Sequence, residues 1–212
     1  MNSYNVDYYE NGKELGISGY SDYKWLPDLT LPMCESIIKN LSINLEDRVL
    51  DYGCAKGYLV KAFHILGVKN TFGIDISEYA ISKCDPAVSS YLKCLNLEQR
   101  LSSQFEQKFD WIVCKDVLEH LQKDDLTIVL SEFKKISDNV FIAVPLGSNG
   151  KYFIEEYEND VTHIIREDME WWTSQIKKAG YDVTCSYSFP GVKENWAQYM
   201  KGNAFIVAKS NT

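Results

Sequence analysis

The sequence predicts an α/β chain: a doubly wound mixed sheet, mostly parallel with an antiparallel last strand pair, and helices on both faces. Three observations predict it. Short apolar runs alternate with segments of helical period, the spacing of parallel strands joined by crossover helices. The runs "VFIAV" and "WIVC" are apolar at consecutive positions, as in strands buried on both sides. The last two strand-like runs, "YDVTCSYSF" and "NAFIVAK", follow each other with no helix between them, so they pair antiparallel.

In chain order, residues 1–29 read as an irregular N-terminal arm or lid rich in Tyr, Asn, Gly and Asp. Its aromatics, Tyr8, Tyr9, Tyr20, Tyr23 and Trp25, need a surface to pack on. The arm either lies on the domain face or covers a cleft, and the two are compatible. Residues 30–212 then form one domain. A chain of 212 residues, 45% of them hydrophobic, supports one well-buried core and is too short for two. Thr30–Leu41 is a helix, with Thr30 as cap and Pro32 in its first turn. "RVLDYG" is the first strand. "GYLVKAFHIL" is a helix with Leu59, Ala62, Phe63 and Leu66 on one face. "NTFGIDI" is the second strand and "SEYAISKC" a helix capped by Ser77. "SYLKCLN" and "FDWIVCKD" follow as strands, then a helix with Leu126, Val129, Leu130 and Phe133 on one face, then the strand "NVFIAVPL". "REDMEWWTSQIKKAG" is a further helix ending at Gly180, with one of Trp171 and Trp172 in the core.

The formal charge is -8, and no stretch concentrates Lys and Arg. That balance disfavours nucleic acid and anionic membrane surfaces as partners. None of the six cysteines forms a C-x-x-C pair, so no zinc ribbon or thioredoxin-like motif is present, and no metal site is expected. The beginning of the chain is polar and acidic, and no apolar run approaches membrane-spanning length. A cytoplasmic protein with buried free thiols is expected.

Function is sought beyond the carboxyl ends of the strands, where ligands bind in doubly wound sheets. The loop after the first strand reads Asp51-Tyr52-Gly53-Cys54-Ala55-Lys56-Gly57, and the second strand ends at Asp75. A nicotinamide loop needs G-x-G-x-x-G, with its middle glycine against a pyrophosphate. That glycine is missing in register here, and Asp51 would repel a pyrophosphate. A carboxylate at this place suits a cationic ligand group, an ammonium or a sulfonium. The alternative is a loop that merely makes a tight turn.

These residues carry a resemblance. "VLDYGCAKGYLV" is similar to the first motif of class I S-adenosylmethionine-dependent methyltransferases, a Rossmann-like family. "GIDIS" resembles their second-strand acidic motif, "FDWIVCKDVLEHL" their fourth-strand motif and "VFIAVP" their fifth strand. "THIIREDMEWWTSQIKKAGYDV" resembles their late helix and the strand after it. The likeness runs from about residue 46 to 209. It implies S-adenosylmethionine as cofactor. Gly53, Cys54, Ala55 and Gly57 would line its methionyl part, and Asp51 would hold the loop or meet the ammonium. Asp75 would accept the ribose hydroxyls and Ile76 would pack on adenine. Asn96 stands where the family often has an acid that reads the adenine amino group. Lys115 would face the methionyl part or the substrate.

Methyl transfer from a sulfonium is an in-line displacement, for which a protein supplies mainly alignment and exclusion of water. A hydroxyl acceptor also needs its proton removed. His64 reads as structural or exposed. His163, in "NDVTHIIREDMEWW", is the first choice of base, since in the family that segment borders the acceptor pocket; ordering its loop is the alternative. His120, in "LEHL", either packs its turn or acts as base, and Asp116 is a further candidate. The expected substrate is a small molecule or sugar, methylated at oxygen. N-methylation of a small amine or a protein, and a non-catalytic cofactor-binding partner protein, are the alternatives. No N/D-P-P-aromatic tetrapeptide is present, which disfavours methylation of DNA bases.

Overall fold

The computed structural model describes residues 3–211. Its first segment departs from the irregular arm expected. Val6–Glu10 (α1) and Gly12–Leu15 (α2) are short helices, and Asn5 caps the first by accepting the amides of Asp7 and Tyr8. The next helix, Pro27–Leu41 (α3), starts a turn earlier than expected, with Leu26 as its cap residue. Pro27 suits the first helical position because its missing N–H would have no partner there. Thr30 is therefore a buried residue inside the helix rather than its cap, and Pro32 lies beyond the first turn.

Strands and helices then alternate as the periodicities predict: Val49–Tyr52 (β1), Tyr58–Ile65 (α4), Thr71–Asp75 (β2), Glu78–Ser82 (α5), Leu92–Cys94 (β3), Leu101–Gln104 (α6), Trp111–Lys115 (β4), Lys123–Ile136 (α7) and Asn139–Pro145 (β5). A two-residue hairpin follows, Gly147–Ser148 (β6) with Lys151–Tyr152 (β7). Met169–Lys178 (α8), Tyr181–Ser186 (β8) and Asn203–Ser210 (β9) complete the chain. The seven-stranded sheet has the order β3-β2-β1-β4-β5-β9-β8. β1 to β5 pair in parallel, while β9 runs antiparallel to both β5 and β8.

Both faces are covered because alternate residues of each strand feed separate cores. Leu50, Ile112 and Ile142 pack with Leu126, Leu130 and Phe133 of α7 and with Trp172 and Ile176 of α8. Val49, Val113 and Phe141 pack with Cys34 and Ile37 of α3 and with Ala62 and Phe63 of α4. Each Leu, Ile, Val or Phe among them contributes about 1.5–3 kcal/mol by leaving water. Trp172 is the core tryptophan of its pair, and Trp171 is only partly buried. His64 is structural: it is buried, with its Nε2 3.0 Å from the Thr71 carbonyl oxygen. No helix among the described residues is long and apolar enough to cross a membrane.

The chain leaves β1 toward β2 on one side and returns to β4 on the other. The carboxyl ends of β1 and β4 therefore flank the point where the strand order reverses, and a crevice opens there.

Candidate active site

Leaving β1, the backbone passes through left-handed conformations at Gly53 (φ 82°), Ala55 (φ 49°) and Gly57 (φ 76°). The Gly53 and Cys54 amides both donate to the Ile74 carbonyl, at 2.8 and 2.9 Å, which folds the loop over the end of β2. A Cβ on Gly53 would run into the Val117 side chain, so glycine is needed there for space as well as for its angle. Ala55 does carry a Cβ in this region, at a cost of about 1 kcal/mol. It is held there by Asp75, whose Oδ2 accepts the Ala55 amide at 2.7 Å while Oδ1 accepts the Ser77 amide at 2.7 Å.

A cavity of about 300 Å³ lies over this loop. Gly53, Ala55, Asp75, Ile76, Asn96 and Lys115 line it, whereas Asp51, Cys54 and Gly57 do not. Asp51 is buried within β1; burial, then the charge of Asp75, pushes its carboxyl up to about 7 against the pull of Lys115. Cys54 packs with Val60, Val88 and Leu92, and burial pushes its thiol well up. Gly57 caps α4, where a Cβ would meet Leu92. These three shape the loop from behind. Leu95, Leu97 and Leu101 make the wall near Ile76 apolar. The Asn96 side-chain oxygen is already engaged, accepting the amides of Glu98 and Gln99.

The N-terminal arm roofs the cavity with Tyr4, Tyr8, Tyr9, Tyr20 and Tyr23. Hydrogen bonds to the domain fasten it. The Lys56 ammonium, from the loop itself, donates to Glu10 Oε1 and to the Tyr23 carbonyl, both at 2.6 Å. Ser77 Oγ donates to the Tyr4 carbonyl at 2.6 Å. The Tyr8 hydroxyl donates to Asp160 Oδ2 at 2.7 Å.

The wall beyond β4 is polar. A 3-10 turn, Leu118–His120, follows the strand. The Glu119 carbonyl accepts the amides of Ile164 and Ile165, at 2.8 and 2.9 Å, and this draws the segment carrying His163 against the turn. The His120 and His163 rings meet edge to face, with centroids 4.6 Å apart. His120 lines the cavity and His163 does not. His163 is buried behind it, its Nδ1 2.8 Å from the Tyr157 carbonyl and its Nε2 4.0 Å from Glu119 Oε1. Burial lowers the pKa of both imidazoles; for His120, burial and the neighbouring His163 take it down to about 4. Glu119 is fully buried, neither carboxylate oxygen has a hydrogen-bond partner among the described residues, and burial, then Asp116, pushes it up to about 8.

Asp116 lines the cavity in a left-handed conformation (φ 56°). Its Oδ2 accepts Lys115 Nζ at 2.6 Å and its Oδ1 pairs with Lys193 Nζ. Burial alone would raise its pKa, but the two ammonium groups outweigh burial and hold it well below the ordinary carboxylate value. A carboxylate tied to two lysines is a poor base. A second, more open depression of about 470 Å³ adjoins the cavity, lined by Tyr4, Tyr8, Ile17, His120, Val161, Thr162 and Ile164 among others.

Sequence reasoning does not single out Lys56, Glu119, Asp160 or Lys193. For Glu119 a signal exists: in "LEHL" the acid follows Leu118 inside a turn bracketed by leucines. Lys193 reaches Asp116 from 77 residues away in the sequence, and nothing local marks it.

A seven-stranded sheet of this order, with an acid-glycine loop and a second-strand acid at its switch point, defines a Rossmann-like class I methyltransferase. The chain belongs to the family described as "Methyltransferase domain", which matches residues 28–189. No curated protein matches the sequence. Among solved structures, the chain is similar to an S-adenosylmethionine-dependent methyltransferase from Archaeoglobus fulgidus, with 17% identity over 87% of this chain and 97% of that one (TM-score 0.63). It is similar to another from Clostridium acetobutylicum, with 16% identity over 86% and 92% (TM-score 0.65). A third is magnesium protoporphyrin IX methyltransferase from Synechocystis with bound cofactor, with 15% identity over 85% and 79% (TM-score 0.57).

Proposed function

We propose that this methyltransferase takes a methyl group from S-adenosylmethionine and places it on a hydroxyl oxygen of a small-molecule or glycan acceptor. The observation that carries this reading is the position of His120, which belongs to the walls of both cavities. The cavity over the loop has the features the cofactor needs, and the second depression gives an acceptor a separate way in. The two meet at a polar group.

The residues fit the cofactor. Asp75 lines the cavity with both carboxylate oxygens already accepting backbone amides, from Ala55, Ser77 and Ile76, and with acceptor capacity remaining for a ribose hydroxyl. Ile76 and the leucines opposite offer an apolar slot for adenine. Gly53 and Ala55 bring bare backbone to the methionyl end, beside Lys115. Asp51, Cys54 and Gly57 act by shaping the loop, and Asn96 by stiffening the turn beside the adenine slot. When bound, S-adenosylmethionine supplies a methyl group already activated as a sulfonium. The tyrosine roof acts as a lid that excludes water.

On the acceptor side, His120 faces the incoming oxygen, Asp116 fixes Lys115 and Lys193, and His163 positions His120 from behind. An attacking hydroxyl has to give up its proton, and this wall is where the chain concentrates groups able to assist. The size of the acceptor follows from the roof. Five tyrosines over the cavity narrow it toward a small acceptor group.

The test is methyl transfer from labelled S-adenosylmethionine to a panel of hydroxylated small molecules and sugars, with amines and proteins alongside. Labelling of a hydroxyl compound is expected. Labelling of amines or proteins alone would overturn the oxygen assignment.

A further inference from the structure

The groups behind His120 are more elaborate than the orientation of one imidazole requires. Glu119, His120 and His163 each offer one ligand atom, and the three atoms lie within 4.8 Å of one another. Ligands about 2.0–2.2 Å from one shared cation stand about 3 Å apart when adjacent and up to about 4.4 Å when opposite. The three side chains would therefore close in by about 1 Å or less.

Glu119 gives the independent observation. Its carboxylate is fully buried, both oxygens lack a hydrogen-bond partner among the described residues, and Oε1 points to His163 Nε2 at 4.0 Å. Buried carboxylates are kept when they are paired or when they coordinate a metal, and here no lysine or arginine among the described residues forms an ion pair with it, Lys193 and Lys115 acting only as more distant charges.

The outer partners are arranged as metal-binding histidines require. A ligating imidazole donates its other N–H to a carbonyl, carboxylate or similar acceptor, which fixes the tautomer and turns the lone pair to the metal. His163 Nδ1 faces the Tyr157 carbonyl at 2.8 Å, and a carbonyl can only accept, so Nδ1 carries the hydrogen and Nε2 the lone pair. His120 Nδ1 is 2.8 Å from Thr162 Oγ1, whose own hydrogen goes to Asp160 Oδ1 at 2.5 Å. The Thr162 oxygen is thus left to accept from Nδ1–H, and His120 Nε2 is also free of hydrogen. Asp160 is held in turn by the Tyr8 hydroxyl and the Thr162 amide. Around this centre stand two further acids, Asp116 and Asp160, and two lysines, Lys115 and Lys193.

We propose that Glu119, His120 and His163 form a binding site for a divalent first-row metal ion at the acceptor end of the cavity. This reverses the expectation of no metal drawn from cysteine spacing, because the ligands come from one 3-10 turn and a segment more than 40 residues later. Two imidazoles and a carboxylate suit manganese, iron, cobalt or zinc, and three protein ligands leave positions open for an acceptor. The role of the ion rests on the hydroxyl-acceptor reading above. A cation beside the acceptor oxygen lowers the proton affinity of that hydroxyl, and His120 then serves as a ligand rather than a base.

The site is tested by titrating the full chain, stripped with EDTA, with Mn²⁺ and following the loss of the free-ion resonance signal; Zn²⁺ is titrated in parallel by calorimetry. One site per chain is expected, weakened at least tenfold in both Glu119→Gln and His163→Asn. S-adenosylhomocysteine affinity, read in the same variants, is expected to stay within about twofold, since neither residue lines the cavity over the loop. Absence of binding of both ions to the unaltered chain overturns the proposal, as does equal binding by folded variants. If Glu119→Gln does not fold, His163→Asn and His120→Asn decide by the same readout. Methyl transfer to hydroxyls without an ion site overturns the metal proposal alone. An ion site with transfer to amines alone supports the site and overturns the oxygen reading.

Discussion

Lys56, inside the loop that follows β1, places its ammonium 2.6 Å from Glu10 Oε1 and thereby ties the cavity's floor to its roof. The pair is mostly shielded, with side-chain exposures of 8% and 23%, and the Tyr23 carbonyl takes a second ammonium hydrogen. Lys56→Met should leave Glu10 without its counter-ion and release the arm. The expected cost is about 1–2 kcal/mol, the low end for hydrogen bonds to charged groups because Glu10 is partly exposed. Limited proteolysis should cut within residues 3–25 at least several-fold faster, and bound S-adenosylhomocysteine should dissociate faster. An arm that resists protease as well in the variant as in the parent would show that the tyrosine packing alone holds it.

Asp75 has two duties, holding the Ala55 and Ser77 amides and presenting its remaining lone pairs to the cavity. Asp75→Ala should weaken S-adenosylhomocysteine binding by about 100-fold, the loss of two charge-assisted hydrogen bonds at about 1.5 kcal/mol each. The sheet should remain folded, because the core strands do not depend on this side chain. Calorimetry on the variant and the parent reads the effect, with NAD as control ligand. Binding of NAD by the parent in place of S-adenosylhomocysteine would remove the cofactor assignment altogether.

The parts legible in the sequence are those written locally. The strand-helix alternation, the loop from Asp51 to Gly57 and the acid ending β2 each depend on residues close together in the chain. The start of α3 differs from the expected Thr30 because both Thr30 and Pro27 carry plausible start signals, and the rigid φ of Pro27 decides between them. The arm is legible as aromatic and not as helical, because α1 and α2 are too short to show a period and gain their order from tertiary contacts. The acceptor wall is the least legible. His163 and Asp116 stand out in the sequence only by position. The three-dimensional arrangement puts one behind His120 and the other in the grip of Lys193.

Gly53 tests how tightly the loop must pass the wall beyond β4. Its φ of 82° disfavours any side chain, and the new Cβ of Gly53→Ala would strike Val117. Angle and contact together should cost about 2–3 kcal/mol, read as a lower urea midpoint, and S-adenosylhomocysteine should bind more weakly because Gly53 lines the cavity. Adding Val117→Ala should recover the part due to the contact and leave the part due to the angle. No recovery in the double variant would mean that the backbone angle accounts for the whole loss.

Asp51 makes stability depend on pH in a way that can be isolated. Burial, then the Asp75 charge, raises its carboxyl from an ordinary 3.8 to about 7 in the folded chain. Below about pH 4 the group is protonated whether the chain is folded or not. From there to about pH 7 the unfolded chain gives up the proton while the folded chain keeps it, so stability falls as pH rises. Above pH 7 both forms are ionised and the dependence ends. Asp51→Asn cannot ionise, so the variant should gain on the parent by roughly 3–4 kcal/mol between pH 4 and 7.5, since each tenfold difference in proton affinity between folded and unfolded chains is worth about 1.4 kcal/mol. Urea unfolding of the cofactor-free proteins at pH 4.5, 6 and 7.5 measures this difference. Glu119 changes the parent in the same direction but is present in both proteins, so the difference between their curves belongs to Asp51. Parallel curves across this range would mean that the Asp51 carboxylate is already ionised in the fold and held by a positive group, with Lys115 the nearest candidate.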